Sequence, residues 1–202
     1  MFHPHYLSSR ISGGLVSIYS SRIILSISSA LMGLFLPIFL FELFDLKLSY
    51  TLIYFLIDYA IYGTFVALGA KFSLNKLGIK ASIIISTVWM SLYYVMFYFM
   101  TGPGGKIGLI MGEDRGKILL LLGLTIFFMN LQRLMYWVPV HTEMTKFTDR
   151  ANRTKELSLL EAICIAFNAI IPAFAGWVLM TYGYNILFVI AVFITFVSIA
   201  LS

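Results

Sequence analysis

The chain has 202 residues, of which 60% are hydrophobic and 11% are charged, and its formal net charge is +5. Its mean hydropathy is +0.94, and soluble domains usually carry about 25% charged residues. These values exclude an ordinary soluble domain and predict a multi-pass membrane protein whose first partner is the lipid bilayer. We assign the positive charge to membrane topology and lipid headgroups, and we expect no nucleic-acid partner.

Six apolar stretches are long enough to cross a bilayer as helices, which takes about 20 residues each. Backbone polar groups must be satisfied inside such a segment, and strands would need only about ten alternating residues, so helices are expected. The predicted fold class is therefore an all-α membrane protein, a bundle of six transmembrane helices in which residues 1–202 form one domain. The predicted spans are about 22–44, 50–70, 80–100, 117–140, 158–181 and 186–202.

Basic residues in the short connections predict the orientation, because cytoplasmic loops carry an excess of Lys and Arg. One side of the membrane receives nine basic residues and the other receives four. The nine are Arg10, Arg22, Lys71, Lys76, Lys80, Lys146, Arg150, Arg153 and Lys155, and the four are Lys47, Lys106, Arg115 and Lys117. The richer side is predicted to be cytoplasmic, which places both ends of this segment on the inner face of a cell membrane.

The sequence offers little for metal, cofactor or enzyme chemistry. Cys164 is the single cysteine, so no internal disulfide forms, and His3, His5 and His141 are too scattered for a metal site. The glycine-rich stretch 101–106 lacks the spacing of a phosphate loop and is interpreted as a turn. Because no hydrolase motif is present either, we expect no cofactor, no metal and no enzyme activity.

Asp58 is an acidic residue inside the second predicted span, about 12 Å below its outer edge at 1.5 Å per residue. Tyr54 and Tyr62 lie four residues to either side and so share its helix face. Ionisable groups inside a membrane are expensive and usually functional. Two interpretations stay open for Asp58: a structural acid that is hydrogen-bonded by tyrosine, and a role in transport.

Arg133 lies in the fourth predicted span, about 10 Å from its cytoplasmic end. Asn130 and Trp137 share its helix face, at spacings of three and four residues. A buried arginine stays charged and needs a wet cavity or an acid, so Arg133 is our best candidate for binding an anionic group or governing a proton carrier. Glu161 begins the fifth span from the same side, and we predict that it pairs with Arg133.

The fifth span continues this polar face. Asn168 and Pro172 follow Glu161 by seven and eleven residues, which keeps the three side chains near one face of a helix that can bend. The predicted path for a solute or proton therefore comprises Arg133, Asn130, Trp137, Asp58, Glu161 and Asn168.

Several segments carry a resemblance to a known family. Residues 75–80 (Asn-Lys-Leu-Gly-Ile-Lys) resemble the cytoplasmic Asp-Arg-x-Gly-Arg-Lys signature of major facilitator superfamily transporters, with asparagine in place of the acid. Residues 172–176 (Pro-Ala-Phe-Ala-Gly) resemble the Gly-Pro-x-x-Gly-Gly pattern of that family's fifth helix, and Arg133 falls where the family often has an arginine. Residues 182–188 look like the short turn into the sixth helix. The resemblance assigns a conformational motif to Asn75, Lys76, Gly78, Lys80, Pro172 and Gly176.

The resemblance implies the N-terminal six-helix half of such a transporter. We therefore expect a secondary active transporter that moves a small solute by alternating access, with helices one, two, four and five lining the path. An anionic solute and a coupling proton are the options that the charges suggest. Such transporters have two six-helix halves, so a second half in a longer chain or a dimer partner is expected. The alternative is a six-helix membrane scaffold or assembly factor that transports nothing.

The predicted orientation can be tested with single cysteines placed at Ser73 and Thr148. Both connections, 71–80 and 141–157, should be cytoplasmic, because they hold most of the Lys and Arg excess. We expect neither cysteine to react with a membrane-impermeant thiol reagent that is added outside intact cells. Labelling of either position from outside would reverse the predicted topology.

Overall fold

A computed structural model describes residues 13–72, 76–102, 115–147 and 153–200. Every regular element in these ranges is a helix, which confirms the all-α prediction. The six elements are α1 (Gly13–Gly33), α2 (Phe35–Leu43), α3 (Leu48–Phe72), α4 (Ile79–Met100), α5 (Arg115–Phe147) and α6 (Arg153–Ala200).

Within the described residues, five helical stretches are long and apolar enough to cross a membrane. The first combines α1 and α2, which are separated only by a turn at Leu34. The stretches are Tyr19–Leu43, Leu48–Phe72, Ile79–Met100, Gly116–Thr142 and Leu157–Ala200. They match the positions of the predicted spans, but the last two predicted spans fall in one 44-residue stretch, so the count of six is not confirmed.

The long helix α6 is bent at Gly183, whose φ of 79° and ψ of 179° are not helical. This backbone conformation is open almost only to glycine. Glu161 and Ser198 both contact α1, at Arg22 and Ser21 respectively. An unbroken helix would separate these two residues by about 55 Å at 1.5 Å per residue. The chain therefore reverses direction near Gly183, and α1 is contacted by α6 both before and after the bend.

Hydroxyl groups join α1 to the segment of α6 that follows the bend. The Ser21 and Ser198 hydroxyls lie 2.9 Å apart, and the Ser28 hydroxyl lies 2.8 Å from Thr195 Oγ1 and 3.1 Å from the carbonyl oxygen of Ala191. Contact positions rise along α1 as they fall along α6, so the two segments run antiparallel. Small hydroxyl side chains let helices approach closely and bond across the interface in a membrane. We call these contacts the hydroxyl seam.

An aromatic cluster fills the bundle at the end opposite the start of α1. The Phe39 ring of α2 packs edge to face on Phe97 of α4 and on Phe188 of α6, with ring centroids 5.6 and 5.4 Å apart. Tyr184, directly after the bend, packs on Phe39 at 5.0 Å. All three phenylalanines are fully buried. Edge-to-face packing of this kind adds to the gain from burial, so α2, α4 and α6 are held together at this level.

Helices α3 and α5 come closest near Gly69. A Cβ atom at Gly69 would lie 2.7 Å from Cβ of Leu134, a distance that real Cβ atoms do not reach. A Cβ atom at Gly63, six residues earlier in the same helix, would meet nothing within 4 Å. The missing side chain at Gly69 therefore permits the approach of α3 to α5, and that approach positions the charged residues described below.

We predict that Gly69→Ala destabilises the protein and that Gly63→Ala, its control in the same helix, does not. The added methyl group must push α3 from α5, and overpacking of this kind costs about 1–3 kcal/mol. The measurement is the temperature at which half of the detergent-solubilised protein still elutes as a single species after heating. Equal midpoints for the two variants would show that α3 and α5 do not depend on this close approach.

Candidate functional site

A cavity of about 270 Å³ lies among α1, α4, α5 and α6. Three of its lining residues are ionisable groups with charged side chains, namely Arg22, Arg133 and Glu161. The remaining wall is mixed, with polar Ser26, Ser29, Gln132, Tyr136, Trp137 and Asn168 beside apolar Leu25, Met90, Met129 and Cys164. Charges inside helices of this hydropathy must face a cavity or a partner. The described residues provide both.

Arg133 is paired with Asp58. Arg133 Nη1 donates a hydrogen bond to Asp58 Oδ2 at 2.7 Å, and Asn130 Nδ2 donates one to Asp58 Oδ1 at 2.9 Å. The guanidinium carbon of Arg133 also lies 4.8 Å from the ring centroid of Tyr59 and 5.8 Å from that of Tyr62. Only 4% of the Asp58 side chain and 14% of the Arg133 side chain are exposed. Asp58 is therefore satisfied by an arginine and an amide.

Tyr54 and Tyr62, the tyrosines considered as hydrogen-bond partners of Asp58, make other contacts. The Tyr54 hydroxyl lies 2.9 Å from Thr125 Oγ1, where it joins α3 to α5 one turn away from Asp58. Tyr62 presents its ring to Arg133. Both tyrosines thus support the charged pair from α3, one by a hydroxyl contact between helices and one by the face of its ring.

The predicted pairing of Arg133 with Glu161 is wrong. Arg133 and Asp58 each lie 14 residues before the end of their helices, α5 and α3, which is about 21 Å at 1.5 Å per residue. The prediction ended the fourth span at residue 140, whereas α5 continues through Pro139 to Phe147. Those extra residues add about 10 Å. Arg133 was therefore predicted too near the end of its span, at the depth of Glu161.

Glu161 is instead paired with Arg22, whose Nη2 donates to Glu161 Oε1. These two residues lie nine and eight positions after the first residues of α1 and α6, so their depths match as well. The Arg22 guanidinium carbon lies 5.1 Å from the ring centroid of Trp137. Arg22 was not predicted as a site residue because it was counted among the loop charges. Its position at the start of a predicted span, like that of Glu161, was the available signal.

Because Arg22 lies in a helix, it no longer counts among the basic residues of the loops, but the predicted orientation does not change. Eight basic residues remain on one side against four on the other.

Arg22 is 8% exposed as a whole residue, and its Nε has no hydrogen-bond partner. This buried arginine with an unused donor was not predicted from the sequence.

Four of the six predicted path residues line the cavity. They are Arg133, Trp137, Glu161 and Asn168, and Asn168 Oδ1 also accepts a hydrogen bond from the Ser26 hydroxyl at 3.3 Å. The other two, Asp58 and Asn130, are buried behind Arg133 and do not line it. The polar wall also includes residues that were not predicted to line the path, namely Arg22, Ser26, Ser29, Gln132 and Tyr136.

The residues of the resemblance-based conformational motif are spread over two helices and a connection. Asn75 lies outside the described residues. Gly78 precedes α4 with a φ of 78°, a conformation that favours glycine, while Lys80 is exposed in the first turn of α4. The Lys76 ammonium lies 5.9 Å from the Phe72 ring centroid. In α6, Pro172 lies inside the helix, and Gly176 faces the Phe35 ring.

In the ranges that the structure describes, no three His, Cys, Asp or Glu side chains are grouped so that they could hold a metal ion. The chemistry available in the cavity is that of arginine, carboxylate, amide and hydroxyl groups. Such groups bind and release ions and hydrogen-bonding solutes. Comparison of the chain with protein-family models, curated protein sequences and solved structures gave no significant match.

We predict strong coupling between Asp58 and Arg133. Asp58→Asn and Arg133→Gln should each destabilise the protein by about 3–5 kcal/mol, because the charge that remains is buried alone. The double variant should recover part of this loss. The control is the cycle of Arg133→Gln with Glu161→Gln, whose losses should add, since each residue has a different partner. Thermal midpoints in detergent measure both cycles, and stronger coupling of Arg133 with Glu161 would restore the pairing predicted from the sequence.

Proposed function

We propose that the chain is part of a secondary active transporter that moves a small solute by alternating access, in a cell membrane and with both ends of this segment cytoplasmic. One observation carries the proposal: a cavity among apolar helices is lined by two arginines and a glutamate. Each of these groups is costly in a membrane. A bundle that served only as a scaffold would be stable with apolar side chains in their place.

The size of the cavity supports a small solute. Its volume of about 270 Å³ is below the 300–1,000 Å³ that is typical of sites for drug-sized ligands. The wall offers charged, amide, hydroxyl and indole groups from four helices, so a solute would contact α1, α4, α5 and α6 together. A change in the relative position of these helices would change all of its contacts.

The helices that line the cavity also have places at which they can bend. The turn at Leu34 separates α1 from α2, Pro139 lies inside α5, Pro172 lies inside α6, and α6 is interrupted at Gly183. Kinks at proline and breaks in helices are common where membrane transporters bind their cargo. Together with the resemblance to the major facilitator superfamily, this supports six spans and a second six-helix half or dimer partner in the proposed transporter.

Cys164 provides a test that needs no knowledge of the solute. It is the single cysteine of the chain, it is buried and it lines the cavity. If access alternates, a charged, membrane-impermeant thiol reagent should modify it in right-side-out vesicles and in inverted vesicles alike. The control is Ser86→Cys combined with Cys164→Ser, because Ser86 is fully buried and does not line the cavity. This control should stay unmodified from both sides.

The other outcomes of the Cys164 experiment separate the two functions. Modification from one side alone would indicate a fixed aqueous pocket and would contradict alternating access. Modification only after denaturation would indicate a sealed core and would favour the alternative, a membrane scaffold or assembly factor. Mass spectrometry of the intact protein gives the modified fraction in each preparation.

A further inference from the structure

The two arginines of the cavity differ in how completely their partners are held. Both carboxylate oxygens of Asp58 accept hydrogen bonds, one from Arg133 and one from Asn130, and Asp58 is almost fully buried. Removing Asp58 or Arg133 would leave the other charge without its partner. This pair is therefore a fixed part of the structure and cannot easily release Arg133 to a ligand.

The pair of Arg22 and Glu161 is asymmetric. Glu161 has 44% of its side chain exposed, against 10% for Arg22. Glu161 can therefore turn away with little loss of protein contact, whereas Arg22 is held in the wall by burial and by the face of Trp137. In addition, Arg22 Nε is buried without a hydrogen-bond partner. Arg22 also forms a hydrogen bond with Tyr136, but its free Nε donor suits a carboxylate, which can take two parallel hydrogen bonds from the guanidinium fork.

From these differences we propose that the cavity binds a small organic monocarboxylate, whose carboxylate replaces that of Glu161 on Arg22. This inference rests on the proposed function and names its substrate class. The charge of the ligand follows from the number of available cations. Asp58 neutralises Arg133. Among the described residues that line the cavity, Arg22 is then the one cation whose partner can be exchanged. The ligand should therefore carry a single negative charge.

The organic part of the ligand follows from the rest of the wall. Leu25, Met90 and Met129 line the cavity together with the Trp137 ring. Apolar and polarisable side chains such as methionine adapt to an apolar body but offer nothing to a hydrated inorganic ion. A carboxylate that carries a small apolar group satisfies both parts of the wall. Inorganic phosphate satisfies only the arginine.

Glu161 has a defined part in this site, namely that of an internal competitor. Its carboxylate occupies Arg22 when the ligand is absent and must leave when the ligand binds. Neutralising Glu161 should therefore strengthen ligand binding, although it removes an ion pair from the protein. This expectation distinguishes a competitor from a residue that contacts the ligand, since loss of a ligand contact would weaken binding.

The test uses radiolabelled benzoate and the full chain purified in detergent, with binding measured by equilibrium dialysis. We expect saturable binding that unlabelled benzoate displaces, and that benzamide, its uncharged analogue of the same shape, and inorganic phosphate do not. Glu161→Gln should bind benzoate about tenfold more tightly, which corresponds to 1.4 kcal/mol. Lys71→Gln, which removes a charge from an exposed position outside the cavity, should bind as the original chain does.

Two variants of Arg22 complete the test. Arg22→Gln should lose binding, but it leaves Glu161 without its partner and can fail to fold. The double variant Arg22→Gln with Glu161→Gln removes both charges, should elute as a folded protein, and should not bind benzoate. Retained binding in the double variant, equal displacement by benzamide, or weaker binding in Glu161→Gln would each overturn the proposal, as would an absence of benzoate binding in the original chain.

The results separate this inference from the proposed function. Cys164 modified from both sides, without benzoate binding, would leave alternating access in place and remove the monocarboxylate site. Benzoate binding with Cys164 modified from one side alone would leave the site in place and remove transport.

Discussion

An ionised side chain in the hydrocarbon region needs a counter-charge at its own depth, and this constraint determines how the helices of the bundle are arranged. Asp58 and Arg133 meet because α3 and α5 bring them to one level, and Gly69 allows those helices to come close enough. Arg22 and Glu161 meet because α1 and α6 begin at the same side. Sliding either helix pair by one turn, about 5.4 Å, would break the ion pair that joins its two helices.

Sequence patterns predicted the all-helical fold and the approximate positions of the apolar helices, because a bilayer imposes length and composition directly on each segment. They also indicated Arg133, Glu161, Trp137 and Asn168, which all line one cavity. The partner of Arg133 could not be predicted from these patterns. It depends on depth within a few ångströms, and the end of α5 was misjudged by seven residues because its last two turns are polar and follow a proline. The bend at Gly183 was indicated only by a short turn-like stretch in the resemblance.

The two ends of the bundle are built from different chemistry. At one end, the aromatic cluster of Phe39, Phe97 and Phe188 is fully buried and rigidly packed. Toward the other, charged and amide side chains surround an open volume. Aromatic packing resists relative motion of helices, since interlocked rings lose contact when they are displaced. A cavity between partly exposed polar groups tolerates such motion. The described helices are therefore held rigidly at the aromatic end and can shift relative to one another more easily at the end that holds the cavity.

The hydroxyl seam between α1 and α6 bears on how far α1, which carries Arg22, can move along α6. In the contacts of Ser21 with Ser198 and of Ser28 with Thr195, either hydroxyl can be the donor. Such a contact has no fixed polarity, because a hydroxyl rotates to give or to accept a proton. A small axial shift of α1 can exchange one of these partners for a neighbouring carbonyl, since the Ser28 hydroxyl lies within reach of the Ala191 carbonyl oxygen as well as of Thr195. The seam therefore holds α1 against α6 through contacts that can tolerate an axial shift smaller than one helical turn.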